Sequence, residues 1–304
     1  MKRIVRRLVV LCIFSVVSAC AVLPVPTAPP AAPGQSPDQV ARTLQQRYDD
    51  ARGQCGDREP AFVCSGLLMR STNYSDSYYS WRPNPANAPW GVNMSWLRQD
   101  SNYADSFPSG NGFVIYPPGD ARRLGLKVFE VRCVYPRDAW STGPDRCQWH
   151  QKLAGPKTQT PLCYLHVPPI LDARQWVAAG YDNDERQCAF ATDSGYAGRA
   201  EAWRQMIEVR RLQQVHKRNE LVVDTWVGLD DRLMPIEAFF YRPEAVADKP
   251  DPLAGARADQ RDFMKLTGRW VPVIRWDPSD APQGGARFSY RAEDQLIAAP
   301  GGRH

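Results

Sequence analysis

Three stretches of the chain carry side chains whose types and spacing suit the handling of a charged ligand. In the first, Cys64-Ser65-Gly66-Leu67-Leu68-Met69-Arg70-Ser71-Thr72, an apolar run ends in an arginine and two hydroxyl residues. An arginine leaving a strand end can grip a phosphate or carboxylate through two parallel N–H donors; the plainer reading of Arg70 is a solvated strand-end charge. In the second, residues 91–98, alternation sets Asn93, Ser95 and Leu97 on one face and Val92, Met94, Trp96 and Arg98 on the other. Ser95 can there position a ligand, or simply face water or a neighbouring strand. In the third, Pro235-Ile236-Glu237-Ala238-Phe239-Phe240-Tyr241, alternation puts Glu237, Phe239 and Tyr241 on one face. A carboxylate is seldom left among aromatic rings without a partner. A reacting centre would explain Glu237, and so would a salt bridge with one of the chain's arginines.

The common catalytic signatures are absent from the sequence: it has no GxSxG, GxxxxGK[ST], HExxH or GxGxxG. His150 follows Trp149 in a cysteine-flanked stretch, His166 precedes Val167-Pro168-Pro169, and His216 ends a charged helical pattern. All three read more readily as structural or solvated than as acid–base groups. Without a CxxC, and with no histidine at finger spacing from a cysteine pair, no metal site is expected.

These residues need elements to hold them. Ser36 as N-cap and Pro37 at the first position predict a helix over 37–52. Apolar, β-branched or alternating runs predict strands at 62–70, 92–98, 112–116 and 126–134, and again at 221–226, 235–241, 271–276 and 287–290. Helices are expected at 171–179 and 199–217, the latter with Ala200, Trp203, Met206 and Ile207 on one face, and a short one near 258–266. Strands and helices come in blocks rather than in strict alternation. The expectation is therefore an α+β fold, a single disulfide-stabilised domain over 38–300 with a largely antiparallel sheet and flanking helices.

Before that domain, residues 1–19 read as an export signal: Lys2, Arg3, Arg6 and Arg7, then an apolar run too short for a permanent membrane span. The run closes on Val17-Ser18-Ala19-Cys20, which resembles a lipoprotein signal, with Cys20 the lipidated residue. Ala21 rather than aspartate after it points to the outer membrane. Six prolines between 20 and 37 predict an extended tether. Of 38 basic side chains four lie in this leader, leaving 34 against 33 acidic ones. Such a near-neutral chain lacks the basic footprint of nucleic-acid binding. Six cysteines remain beyond Cys12 and Cys20, an even number in an exported chain. The expected pairing is nearest neighbour: Cys55 with Cys64, Cys133 with Cys147, Cys163 with Cys188.

The segments CSGLLMRSTN, WRPNPANAPWGVNMSWLRQDSNY, NGFVIYP, NELVVDTW, PIEAFFY and ADQRDFMKLTG, spread over about 45–295, resemble the halovibrin family of secreted bacterial proteins. The resemblance implies an exported enzyme acting on NAD as substrate, with no tightly bound cofactor. The implied activity is that of an NAD glycohydrolase, with ADP-ribosyltransferase activity beside it and the protein acceptor open. Such enzymes need a group for the pyrophosphate, a polar residue near the ribose and a carboxylate at the oxocarbenium-like centre. ADP-ribosylating toxins carry arginine, serine and glutamate in that chain order, and Arg70, Ser95 and Glu237 follow it. Two departures stand out: Asn93-Met94-Ser95-Trp96 is not the toxins' Ser-Thr-Ser-like run, and Pro235 occupies the place of the second acidic or amide residue of arginine-directed transferases. Glu220 is the alternative carboxylate, its place after Lys217-Arg218 suggesting exposure. The competing class is a non-enzymatic envelope or surface binding module. It would use exposed aromatics such as Trp81, Trp90 and Trp140 on carbohydrate or protein.

Overall fold

The computed structural model describes residues 35–56, 59–72, 79–82, 92–101, 110–138, 147, 162–180, 187–192, 199–213, 218–224, 230–244, 251–278 and 286–296. The export signal, Cys20 and the tether up to residue 34 lie outside them, as do His150, His216, Trp90 and Trp140.

The first helix, α1 (Pro37–Asp49), begins as its sequence directs: the Ser36 hydroxyl accepts from the Gln39 amide at 3.3 Å and Pro37 occupies the first turn. Two short strands, β1 (Gln54–Cys55) and β2 (Glu59–Pro60), pair with each other. The strands of the main sheet then follow in the chain as β3 (Leu67–Ser71), β4 (Val92–Leu97), β5 (Asn111–Ile115), β6 (Val131–Tyr135), β7 (Phe190–Ala191), β8 (Glu220–Val223), β9 (Ile236–Tyr241), β10 (Val273–Asp277) and β11 (Arg287–Tyr290). Between them lie α2 (Pro118–Arg123), α3 (Ala173–Ala178), α4 (Arg199–Gln213) and α5 (Pro252–Thr267).

These nine strands form one sheet in the order β11-β10-β9-β5-β3-β4-β8-β6-β7. Neighbours are antiparallel except β9 and β10, which run parallel because α5 carries the chain back between them. The fold is thus α+β with a mostly antiparallel sheet. Its two faces are buried differently. Leu67, Met69, Leu97, Val114, Ala238 and Phe240 face α1, packing on Val40, Leu44 and Tyr48. Leu68, Met94, Trp96, Phe113, Ile115, Phe239 and Tyr241 face α4 and α5, whose Trp203, Met206, Ala256 and Phe263 close the other core.

All three disulfides join nearest neighbours, Cys55–Cys64, Cys133–Cys147 and Cys163–Cys188. They are consistent with an extracellular protein. Among the described residues no helix is long and apolar enough to cross a membrane.

Several expected elements differ. The strand expected from residue 62 starts only at Leu67, because residues 61–63 form a 3-10 turn ahead of Cys64, and Gly66 has φ +66°. A Cβ there would lie 2.3 Å from the Trp96 indole nitrogen, so the position requires glycine. The strand expected at 126–134 is confined to β6, since the Leu126 and Lys127 amides donate to the Ala121 and Leu233 carbonyls rather than into the sheet; α2, just before, is unforeseen from sequence. The short helix near 258–266 is the sixteen-residue α5, capped by Asp251 and closed by left-handed Gly268.

Candidate functional site

Arg70, Ser95 and Glu237 do not assemble into one site. On β3, Leu67 and Met69 face α1 while Leu68 faces α5, so Arg70 shares the α5 face with Leu68. Ser95 lies opposite Met69 and shares the α1 face with Leu97. Glu237 reaches α1 as well, but β5 and β3 separate β9 from β4, so the two stand three strand spacings apart, about 14 Å.

A β-bulge decides the direction of Glu237. Val114 of β5 pairs with Ala238 and Ile115 with Ile236, leaving Glu237 as the extra residue on β9. Ile236, Phe239 and Tyr241 face α5. Glu237 instead points to α1, where Arg47 Nη2 donates to its Oε2 at 2.5 Å. The alternation expected from sequence, with Glu237 aligned on Phe239 and Tyr241, is broken by that one inserted residue. Burial raises the Glu237 carboxyl, and the adjacent Arg47 charge and hydrogen bond work against the rise. Both side chains are buried, and Tyr116 and Arg269 lie within the same electrostatic neighbourhood. The salt-bridge reading of Glu237 is therefore the one the fold realises. Glu220 was expected to be exposed and is buried on β8 opposite Tyr135, because the sheet continues to β6 and β7 beyond it.

On the α5 face, a different set of groups gathers around Arg70. The relevant end of the sheet is where β3 finishes, β4 and β5 begin and β9 finishes. There Arg70, itself buried, donates from Nε to the Asn93 carbonyl at 3.1 Å and from Nη1 to the Ser80 carbonyl at 2.8 Å. Its guanidinium lies 5.5 Å from the centre of the Tyr79 ring. Two residues on, about 7 Å along the strand, the Thr72 hydroxyl donates to Asp259 Oδ2 at 2.6 Å and accepts from Asn111 Nδ2 at 2.8 Å. Asp262 follows Asp259 by three residues, hence on the same side of α5. It accepts from the Trp81 indole nitrogen at 3.0 Å. Residues 79–82 thus close a ring: Ser80 holds the arginine and Trp81 holds the second aspartate.

Close backbone approach makes this possible. A Cβ on Gly112 would lie 2.0 Å from the Arg70 carbonyl oxygen, and one on Gly255 would lie 2.7 Å from the Asn111 amide nitrogen. The first glycine lets β5 run against β3 at the arginine, the second lets α5 settle onto Asn111. The two carboxylates end in unlike surroundings: Asp259 is half-buried and Asp262 exposed. Asp259 is pushed up to about 7, first by loss of solvent and also by the Asp262 charge, with the Thr72 and Asn111 hydrogen bonds opposing. A carboxyl that changes charge near neutrality beside a second carboxyl is an arrangement suited to proton transfer and to stabilising positive charge.

Arg70 was legible in the sequence; Asp259, Asp262, Asn111 and Trp81 were not read as a site. The signal for the aspartates was present as Asp-x-x-Asp within ADQRDFMKLTG, a spacing that aligns two carboxylates once the segment is helical. Nothing in the sequence pairs Trp81 with Asp262. Trp81, one of the aromatics a surface-binding module would expose, is buried edge-on against Phe263 at 5.2 Å between ring centres. Among the described residues the large exposed apolar side chains are aliphatic: Val167, Leu171, Leu212, Leu266 and Leu296. His166, half-buried after the Cys163 turn, is remote in sequence from every residue of the ring. No group of three or more metal-binding side chains occurs among the described residues. No protein-family model matches the chain, and no curated protein matches it significantly.

Proposed function

We propose that the chain is an exported NAD glycohydrolase whose reacting centre is the Asp259–Asp262 pair, with Arg70 beside it. The observation that carries this reading is the convergence of an arginine and two carboxylates of unlike environment on one face and one end of the sheet. The same residues lie in CSGLLMRSTN and ADQRDFMKLTG, two of the segments that resemble halovibrins. In this reaction the bond between nicotinamide nitrogen and ribose carbon breaks, nicotinamide leaves neutral, and water supplies the new bond to ribose while losing a proton. Asp262, open to solvent, is suited to stabilise the positive charge that develops on the ribose. Asp259 in its ionised form is suited to take the proton from water. Arg70, buried and donating to the Asn93 and Ser80 carbonyls, contributes its positive charge to the pyrophosphate rather than a direct grip. Transfer to a protein would replace water with an acceptor's nucleophile at the same centre.

Glu237 has no part in this scheme. Its carboxylate is committed to Arg47 on the far face, so the assignment of Arg70, Ser95 and Glu237 to one constellation is replaced. We also propose that Cys20 carries a lipid that holds the protein at the outer membrane, the proline-rich stretch acting as tether. The deciding experiment measures nicotinamide release from NAD by the oxidised exported protein, beside Asp259→Asn, Asp262→Asn and Glu237→Gln. The expected result is turnover by the wild type that falls at least about 100-fold in each aspartate variant, in line with removal of a catalytic acid–base group. No release by folded wild type would overturn the reading.

A further inference from the structure

The segment 79–82 stands out because it has no regular secondary structure yet each of its residues has a partner elsewhere in the fold. Tyr79 lies under the Arg70 guanidinium, Ser80 accepts from it, Trp81 donates to Asp262, and Arg82 pairs with Asp231 at 2.9 Å. Trp81 is 1% exposed, while the aspartate it touches is exposed. Its ring is held edge-to-face by Phe263, which stacks in the same manner on Phe239 of β9 at 5.8 Å. The indole N–H therefore issues from a packed wall and meets one oxygen, Oδ2, of a solvent-facing carboxylate. A side chain in water samples several rotamers. A carboxylate gripped on one oxygen by a rigid donor presents its other oxygen in a fixed direction, and fixed dipoles are what a charge-developing reaction exploits.

We propose that Trp81 is a positioning residue of the reacting centre: its indole N–H fixes the Asp262 carboxylate, and through the Ser80 carbonyl the same strap sets the span between Asp262 and Arg70. This rests on the reading of Asp262 as part of the NAD-cleaving site. The role is distinct from core filling, since a ring of the same shape without the N–H would fill the core equally well.

The test uses the oxidised exported protein. Trp81→Phe keeps an aromatic ring against Phe263 and removes the donor. The expected outcome is a fall in kcat for nicotinamide release of about 10- to 100-fold with KM for NAD changed less than about threefold, the pattern of an interaction used in the transition state. Equal kcat in folded Trp81→Phe and wild type overturns the proposal. Should Trp81→Phe fail to fold, the contact is read in Asp262→Asn, which leaves the packed wall intact. There the Trp81 indole 15N–1H resonance is expected to move while the resonances of Trp96, Trp203 and Trp276 stay in place, and an unmoved Trp81 resonance overturns the proposal. A wild type that releases no nicotinamide, with the Trp81 resonance still responding to Asp262→Asn, refutes the NAD reading and not the contact.

Discussion

Among single residues, half-buried Asp259 and buried Glu237 both sit against other groups, but their partners give them opposite roles. Asp259 meets a neutral hydroxyl and a second carboxylate, so its proton is exchangeable near neutrality. Activity should accordingly rise with pH and level off above about 7, as the base becomes ionised. A rate profile flat from pH 5 to 8 would contradict that role. The same group makes a stability prediction. Between about pH 4, where an unfolded aspartate ionises, and about 7, the folded protein keeps a proton the unfolded chain has lost. Stability therefore falls as pH rises through that window. Asp259→Asn should flatten the slope in urea titrations run at pH 4.5 and 7.5. Glu237, by contrast, has Arg47 as its partner. Glu237→Gln leaves that guanidinium buried without a counter-charge and should cost about 3–5 kcal/mol of stability, read from chemical denaturation. The fraction that remains folded should retain its kcat. The sequence showed that Glu237 needs a partner; that the partner is an arginine 190 residues upstream emerges only in the folded chain.

The elements that bring the site together are β3, β5 and α5, and their spacing depends on two missing Cβ atoms. Gly112→Ala would drive a methyl into the Arg70 carbonyl, a backbone atom with no freedom to withdraw. A loss of about 3 kcal/mol or more is expected, at the upper end of overpacking effects, and thermal unfolding would show it. Gly255→Ala is a subtler case. Alanine favours a helix by up to about 1 kcal/mol, yet here the methyl meets the Asn111 amide, which must turn away from Thr72. Activity should drop more than stability does, and a variant both stabler and fully active would count against the Asn111–Thr72–Asp259 chain as part of the site. Much at this scale was readable beforehand. Ser36-Pro37 announced α1, and apolar, β-branched or alternating runs announced β4, β5 and β9. The full extent of α5 is also marked in the sequence: Asp251-Pro252 is a start signal and Gly268 a stop signal. The bulge at Glu237 was not readable, because it arises from the pairing of β9 with β5 and leaves no mark on β9 alone.

For the molecule as a whole, the two largest apolar clusters among the described residues lie on the two faces of one sheet, and three disulfides close loops of the chain. Reduction should lower the unfolding midpoint substantially, since cross-links closing loops of this size contribute about 2–4 kcal/mol each. Equal midpoints with and without reductant would show the bridges to be dispensable. The amino-acid sequence by itself determined the α+β class and most strand positions, because alternation and capping are local properties of the chain; it favoured nearest-neighbour cysteine pairs, and the folded chain selected them from the fifteen pairings six cysteines allow. It also marked Arg70 as a candidate. Which face each side chain addresses, and so which charges meet, was decided by tertiary structure. Register and a single bulge sent Glu237 to α1, and the crossover of α5 brought Asp259 and Asp262 to an arginine nearly two hundred residues away. Such meetings depend on strand order and helix placement, and those follow from the packing of the whole chain rather than from any segment of it.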